Sequence, residues 1–242
     1  MLWLGCRGVR LAMMRFLLLL CLLARSVECS RRFLLLHNTG SSAGAFRNRG
    51  GLGLVGAASS AYHDGGPHAW QIGGMEWDLG IEDATEWGEW WTSEASDDKA
   101  KAAVVAAIAA VEEEIRASSY DGIVGFSEGA IVAAIVAARA AVREEGSCAD
   151  SLKFAVAIGA SVPTHFEDLL QKLDESTSSL LPTMHCVSMG DAESGQKLAA
   201  YFGPSAVVQI HAAGHKEMPP KDALQAVIAF ADKAVPEGSK FR

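Results

Sequence analysis

The feature that most constrains this chain is the pentapeptide Gly125-Phe-Ser-Glu-Gly129, which ends the apolar run 122–126 and precedes an alanine-rich run, 130–142. This order predicts a strand, a tight turn and a helix, with Ser127 at the turn. A serine held at such a turn has its hydroxyl lifted off the strand end, while the glycines keep side chains out of a crowded corner. Ser127 is therefore the candidate nucleophile of a nucleophile elbow.

Strand and helix patterns alternate along the rest of the chain. Further apolar runs predict strands at residues 32–37, 154–158, 183–189 and 206–211, and helical spacing predicts helices at 97–117, 166–173, 196–202 and 221–234. This alternation is typical of a mostly parallel sheet with helices on both faces and right-handed crossovers. The length of 242 residues suits one such α/β domain, which we place at residues 30–242. The acidic triplet 112–114 is expected on the solvated face of its helix.

Two further side chains of the predicted site follow the last two strands. His215 comes after the final strand, on the sheet edge that carries Ser127, where a general base can reach the serine hydroxyl. His211 lies inside the strand and is expected to pack. Asp191 and Glu193 both follow the penultimate strand, and either could orient the imidazole or simply begin the next helix. The residues themselves leave that choice open.

Backbone donors for a developing oxyanion are expected at two turns. The N–H of Glu128 begins the helix after the elbow, and the N–H of Thr39 lies in the polar turn after the first strand. That turn could instead only connect a strand to a helix. Residues 62–91 hold five of the six tryptophans without regular spacing, which favours a ligand-binding loop or, alternatively, rings that cover the core.

The N-terminus has the order of a secretory signal peptide. Three arginines precede the apolar run 16–24, and small residues then lead to Ser30. Residues 1–29 are therefore predicted to be a leader that sends the protein to the secretory pathway or an organelle. The apolar run is too short for a stable membrane span. The alternative is a cytoplasmic protein that starts at Met13 or Met14.

Charge and cysteine usage narrow the possible partners. The formal net charge is −8, and no basic stripe offers phosphate neutralisation, so a nucleic-acid partner is not expected. Cys148 and Cys186 are the cysteines outside the leader, and two free thiols are expected. No spacing of histidine and cysteine suggests a metal site. The oligomeric state is not readable.

Several segments together resemble one family. These are residues 33–37 of the first strand, the pair Trp90-Trp91, the elbow decapeptide 121–130, and Gly214-His215. The chain resembles the FSH-type serine hydrolases, a branch of the α/β-hydrolase fold. The resemblance implies hydrolysis of a small-molecule carboxylic ester or thioester by Ser127 with His215 as base, and it requires no cofactor or metal.

The chain departs from the family pattern at three places. Asn38-Thr39 follows His37 where the family usually has glycine and an aromatic residue, and Glu128 replaces a common glutamine. The family acid stands three residues after the strand-ending glycine, which falls on Glu193 and favours it over Asp191. The expected function is a serine esterase. The alternatives are an acyl thioesterase of the same fold and a catalytically silent binding protein, which the departures motivate.

Overall fold

A parallel sheet organises the molecule. The computed structural model describes residues 33–36, 98–118, 120–175, 181–215, 217 and 219–235. Within these ranges five strands lie side by side in chain order, and every neighbouring pair is parallel. The strands are β1 (Phe33–Leu36), β2 (Gly122–Phe126), β3 (Phe154–Ile158), β4 (Thr183–Ser188) and β5 (Val207–His211). The predicted strands are confirmed to within one residue at either end.

Apolar side chains on both strand faces explain why these segments form an inner sheet. Every residue of the first four strands is buried. Strands covered on both faces need apolar residues at successive positions rather than alternate ones. β5, at one edge of the described sheet, differs because Val207, Val208 and Ile210 are exposed there.

Helices cover both faces, as predicted. The helices are α1 (Asp98–Ser118), α2 (Glu128–Ala141), α3 (Glu167–Glu175), α4 (Ala192–Tyr201) and α5 (Lys221–Ala234). One core joins apolar residues of α1 to α4 to one sheet face, and the other joins α5 to the opposite face. α2 contacts β1 to β3 as well as α1 and α3, and most of its side chains are buried. Its alanines suit that position because small side chains allow close approach on every side.

One surface prediction is wrong. Glu112, expected on a solvated face, is 1% exposed and accepts a hydrogen bond from Nε of Arg139 on α2 over 2.9 Å. Helical spacing placed it on the outer face with the rest of the acidic triplet, whereas the packing of α2 against α1 covers it. The expected free thiols are confirmed, because Cys148 and Cys186 are both unpaired and buried.

Three predictions lie outside the described residues. These are the leader at 1–29, the Thr39 turn and the tryptophan-rich segment 62–91. Within the described part, the carboxyl ends of the strands meet along one edge. Phe126 pairs with Ile158 there, and Ser188 pairs with His211. The turns that follow these residues build the candidate site.

Candidate active site

Ser127 occupies a strained turn between β2 and α2. Its φ of 55° and ψ of −119° lie outside the regions that L-residues favour, at a conformational cost of about 1–3 kcal/mol. Two contacts hold this conformation. The Ser127 N–H donates to the carbonyl oxygen of Ile158 at the end of β3 over 2.8 Å, and the Ser127 carbonyl accepts from the N–H groups of Ala130 and Ile131. The backbone is thus fixed to the sheet on one side and to α2 on the other.

Packing of the strand against the helix explains why position 125 is a glycine. A Cβ at Gly125 would collide with the backbone of Gly129 and Ala130, so strand and helix cross at backbone contact. Only a residue without a side chain fits at such an approach. The elbow inferred from the sequence is therefore present in the structure, and its first glycine is sterically required.

His215 reaches Ser127 from the loop after β5. Its Nε2 atom lies 3.4 Å from Oγ of Ser127, across 88 residues of sequence. The distance is at the long end of the hydrogen-bonding range. Gly159, which follows β3, lies against the imidazole, where an added Cβ would be 3.5 Å from Cε1. The His215 side chain is 43% exposed.

Asp191, and not Glu193, is the carboxylate that meets His215. Its Oδ2 atom lies 2.8 Å from Nδ1 of His215, on the side of the ring opposite Ser127. Asp191 ends a short 3-10 turn, Met189–Asp191, directly after β4. Glu193 is exposed in the first turn of α4. The resemblance placed the acid at Glu193. In the structure the turn after β4 brings the carboxylate of Asp191, two residues earlier, to His215.

Ser188, which the sequence argument missed, forms two hydrogen bonds with Asp191. Its Oγ donates to Oδ2 over 2.6 Å and accepts from the Asp191 N–H at 3.3 Å. The bond from Ser188 lowers the pKa of the Asp191 carboxyl; burial opposes this effect, and the hydrogen bond with His215 supports it. A signal was available, since serine three residues before an acid is a common capping pattern.

His211 lies close to the same carboxylate. It is the last residue of β5, buried to 7% exposure, and it packs as expected rather than reaching Ser127. Burial lowers the pKa of its imidazole, although the charges of Asp191 and Asp222 act in the opposite direction. His211 therefore belongs to the electrostatic surroundings of Asp191 and does not take part in the contact between Ser127 and His215.

The structure describes one of the two expected oxyanion donors. Glu128 is the first residue of α2, so its N–H belongs to the positive end of the helix beside Ser127. Thr39 lies outside the described residues. Within the described ranges no cluster of three or more histidine, cysteine or acidic residues could hold a metal ion. No helix in that part of the chain is long and apolar enough to cross a membrane.

A parallel sheet between helices, with a serine at the strained turn from a central strand into a buried helix, defines an α/β-hydrolase fold. The chain belongs to the serine hydrolase (FSH1) family, whose sequence model matches residues 28–226. The resemblance inferred from the sequence motifs is thereby confirmed. A search of curated proteins gave no match.

Two solved structures that align with most of this chain have low sequence identity to it. NosK from Streptomyces actuosus is 12% identical, with a TM-score of 0.47, over 85% of this chain and 99% of its own. An esterase/lipase from an uncultured bacterium is 15% identical, with a TM-score of 0.46, over 86% of this chain and 76% of its own. The family assignment depends on the sequence match and not on these two.

Proposed function

We propose that this protein is a serine esterase that cleaves carboxylic esters through an acyl-enzyme on Ser127. The observation that carries the proposal is the continuous series of side chains from Ser127 through His215 to Asp191, with separations of 3.4 and 2.8 Å. A serine hydroxyl is a weak nucleophile unless an adjacent base accepts its proton, and a base acts best when a third group orients it.

The first half of the reaction forms the acyl-enzyme. Ser127 Oγ attacks the acyl carbonyl carbon while its proton passes to Nε2 of His215. The carbonyl electrons move to oxygen, and the resulting oxyanion is stabilised by the N–H of Glu128 and by that of Thr39. The carbon–oxygen bond to the leaving group then breaks, and His215 returns the proton to the departing alkoxide, which leaves as an alcohol.

Water completes the cycle. His215 accepts a proton as a water molecule attacks the acyl carbon. The bond between that carbon and Oγ of Ser127 then breaks, His215 returns the proton to Oγ, and a carboxylic acid leaves. Asp191 keeps the proton of His215 on Nδ1, so that Nε2 stays available as an acceptor, and it stabilises the imidazolium formed in each half-reaction. The proposal therefore takes Asp191 rather than Glu193 as the acid, supported by its 2.8 Å contact with His215.

Fluorophosphonate labelling of the full-length protein tests the activated serine. We expect the wild type to label, and Ser127→Ala and His215→Ala to lose labelling while remaining folded. Removal of either group from such a unit lowers turnover by orders of magnitude. A folded wild type that does not label would contradict the esterase proposal and favour a silent binding protein.

Paired substrates separate an esterase from a thioesterase. Nitrophenyl esters and acyl thioesters of equal chain length should be compared by kcat/KM on the same preparation. We expect hydrolysis of the ester series to depend on Ser127. A much higher kcat/KM for every thioester would instead assign a thioesterase that uses the same residues.

A further inference from the structure

Ser188 holds Asp191 through two hydrogen bonds. It is the last residue of β4 and is 4% exposed. Its hydroxyl donates to the Asp191 carboxylate and accepts from the Asp191 N–H. One small side chain therefore constrains both the backbone and the side chain of the residue that meets His215.

The oxygen that accepts from Ser188 is the one that faces His215. Oδ2 of Asp191 lies 2.6 Å from Ser188 Oγ and 2.8 Å from His215 Nδ1. A carboxylate oxygen has lone pairs for two donors, so both bonds can exist together. The Asp191 side chain is 35% exposed, and without the serine its carboxylate could rotate toward water.

The sheet sets the distance between the acid and the base. Ser188 pairs with His211 in the register of β4 and β5, and His215 follows four residues after that pair. The end of β4 therefore places Asp191 through Ser188, while the end of β5 places His215. Because backbone hydrogen bonds join the ends of β4 and β5, the hydrogen bond from Ser188 links the position of the Asp191 carboxylate to that of His215.

We infer that Ser188 is a positioning residue, whose hydroxyl holds the Asp191 carboxylate in the orientation that pairs with His215. The inference rests on the proposed function, in which Asp191 orients the general base. The hydroxyl also caps the 3-10 turn, and such a cap alone would affect folding but not the reactivity of the folded protein.

The kinetic test compares Ser188→Ala with Thr183→Val in the full-length protein. Thr183 is a buried residue of the same strand, and within the described part of the chain its hydroxyl has no hydrogen-bond partner, so Thr183→Val controls for loss of a buried hydroxyl. We expect Ser188→Ala to label with fluorophosphonate about tenfold more slowly, because hydrogen bonds to charged groups are strong. The final extent of labelling should stay equal to that of the wild type.

Two further comparisons test whether loss of the Ser188 hydroxyl causes the slower labelling: rescue by a second substitution, and combination with Asp191→Asn. Ser188→Thr should recover the labelling rate; if that variant does not fold, Ser188→Cys should give an intermediate rate. In an Asp191→Asn background, Ser188→Ala should have almost no further effect. A merely structural role would lower the labelled fraction without changing the rate constant, and would give equal effects in both backgrounds.

A measurement independent of activity separates this inference from the proposed function. The ¹³C carboxyl resonance of Asp191, identified by its loss in Asp191→Asn, should titrate at higher pH in Ser188→Ala than in the wild type. An unchanged midpoint would overturn the inference even if the protein is an active esterase. A shifted midpoint in a protein that never labels would support the contact and reject the esterase instead.

Discussion

Oδ2 of Asp191 lies 2.8 Å from Nδ1 of His215, although Asp191 directly follows Gly190 in the turn after β4. We expect Asp191→Asn to reduce kcat by about 10³- to 10⁴-fold, because an amide can favour the wrong tautomer of the imidazole and cannot stabilise its cation. Glu193→Gln is the matched control and should keep wild-type kcat. Equal losses in the two variants, or a larger loss for Glu193→Gln, would contradict the assignment of the acid.

Gly125 should be intolerant of any side chain. We expect Gly125→Ala to lose at least about 3 kcal/mol of unfolding free energy or to fail to fold, since its Cβ meets backbone that cannot rotate away. Urea denaturation followed by circular dichroism gives the comparison. Gly214→Ala is the control, because a Cβ there meets nothing within 4 Å. Similar stability of the two variants would show that the elbow can widen.

Arg139 should be needed to keep Glu112 buried. Burial raises the pKa of the Glu112 carboxyl, and the hydrogen bond and charge of Arg139 oppose that rise. We expect Arg139→Met to lose about 3–5 kcal/mol of unfolding free energy, because it leaves a buried carboxylate unpaired. Replacement of both residues by methionine should recover most of that loss.

The exposed pair of Arg143 and Asp150 supplies the control for this experiment. Its side chains are 67% and 91% exposed, so Asp150→Asn should unfold at nearly the wild-type urea concentration. Equal effects of Asp150→Asn and Arg139→Met would show that burial does not decide the contribution of the ion pair.

Stability should fall in mild acid because of His185. This β4 residue is 2% exposed, and within the described part of the chain neither ring nitrogen has a hydrogen-bond partner. Burial lowers its pKa from 6.5 to about 4. His185 therefore binds a proton below about pH 6.5 in the unfolded chain, but only below about pH 4 in the folded protein. Folding stability decreases as pH falls through that window.

The size of the effect can be measured against His185→Leu, which has a similar volume and no titratable group. Each unit of pKa difference corresponds to about 1.4 kcal/mol. The wild type should therefore lose about 3 kcal/mol more than His185→Leu between pH 7 and pH 4. Parallel stability curves for the two proteins over this range would show that His185 has a hydrogen-bond partner or is hydrated.

The strands and most helices were readable from the sequence, because continuous apolar runs and helical spacing reflect burial directly. The β2 and β3 bounds matched in full, whereas α4 begins at Ala192 instead of the expected residue 196. That early start follows from the 3-10 turn that Ser188 caps, and a turn of this kind leaves little mark on hydrophobic spacing. The buried position of Glu112 was missed for a related reason, since its partner Arg139 lies 27 residues away.

The sequence by itself determined the alternating fold, the elbow serine and the position of His215, because periodicity and glycine spacing are local properties of the chain. Only the tertiary structure decided which acid meets that histidine, since Asp191 and Glu193 differ by two residues but their side chains point to different surroundings. It also decided that Ser188 touches Asp191 and that Glu112 is buried. Each of these depends on side-chain directions and distances of a few ångströms, which packing sets after the elements have come together.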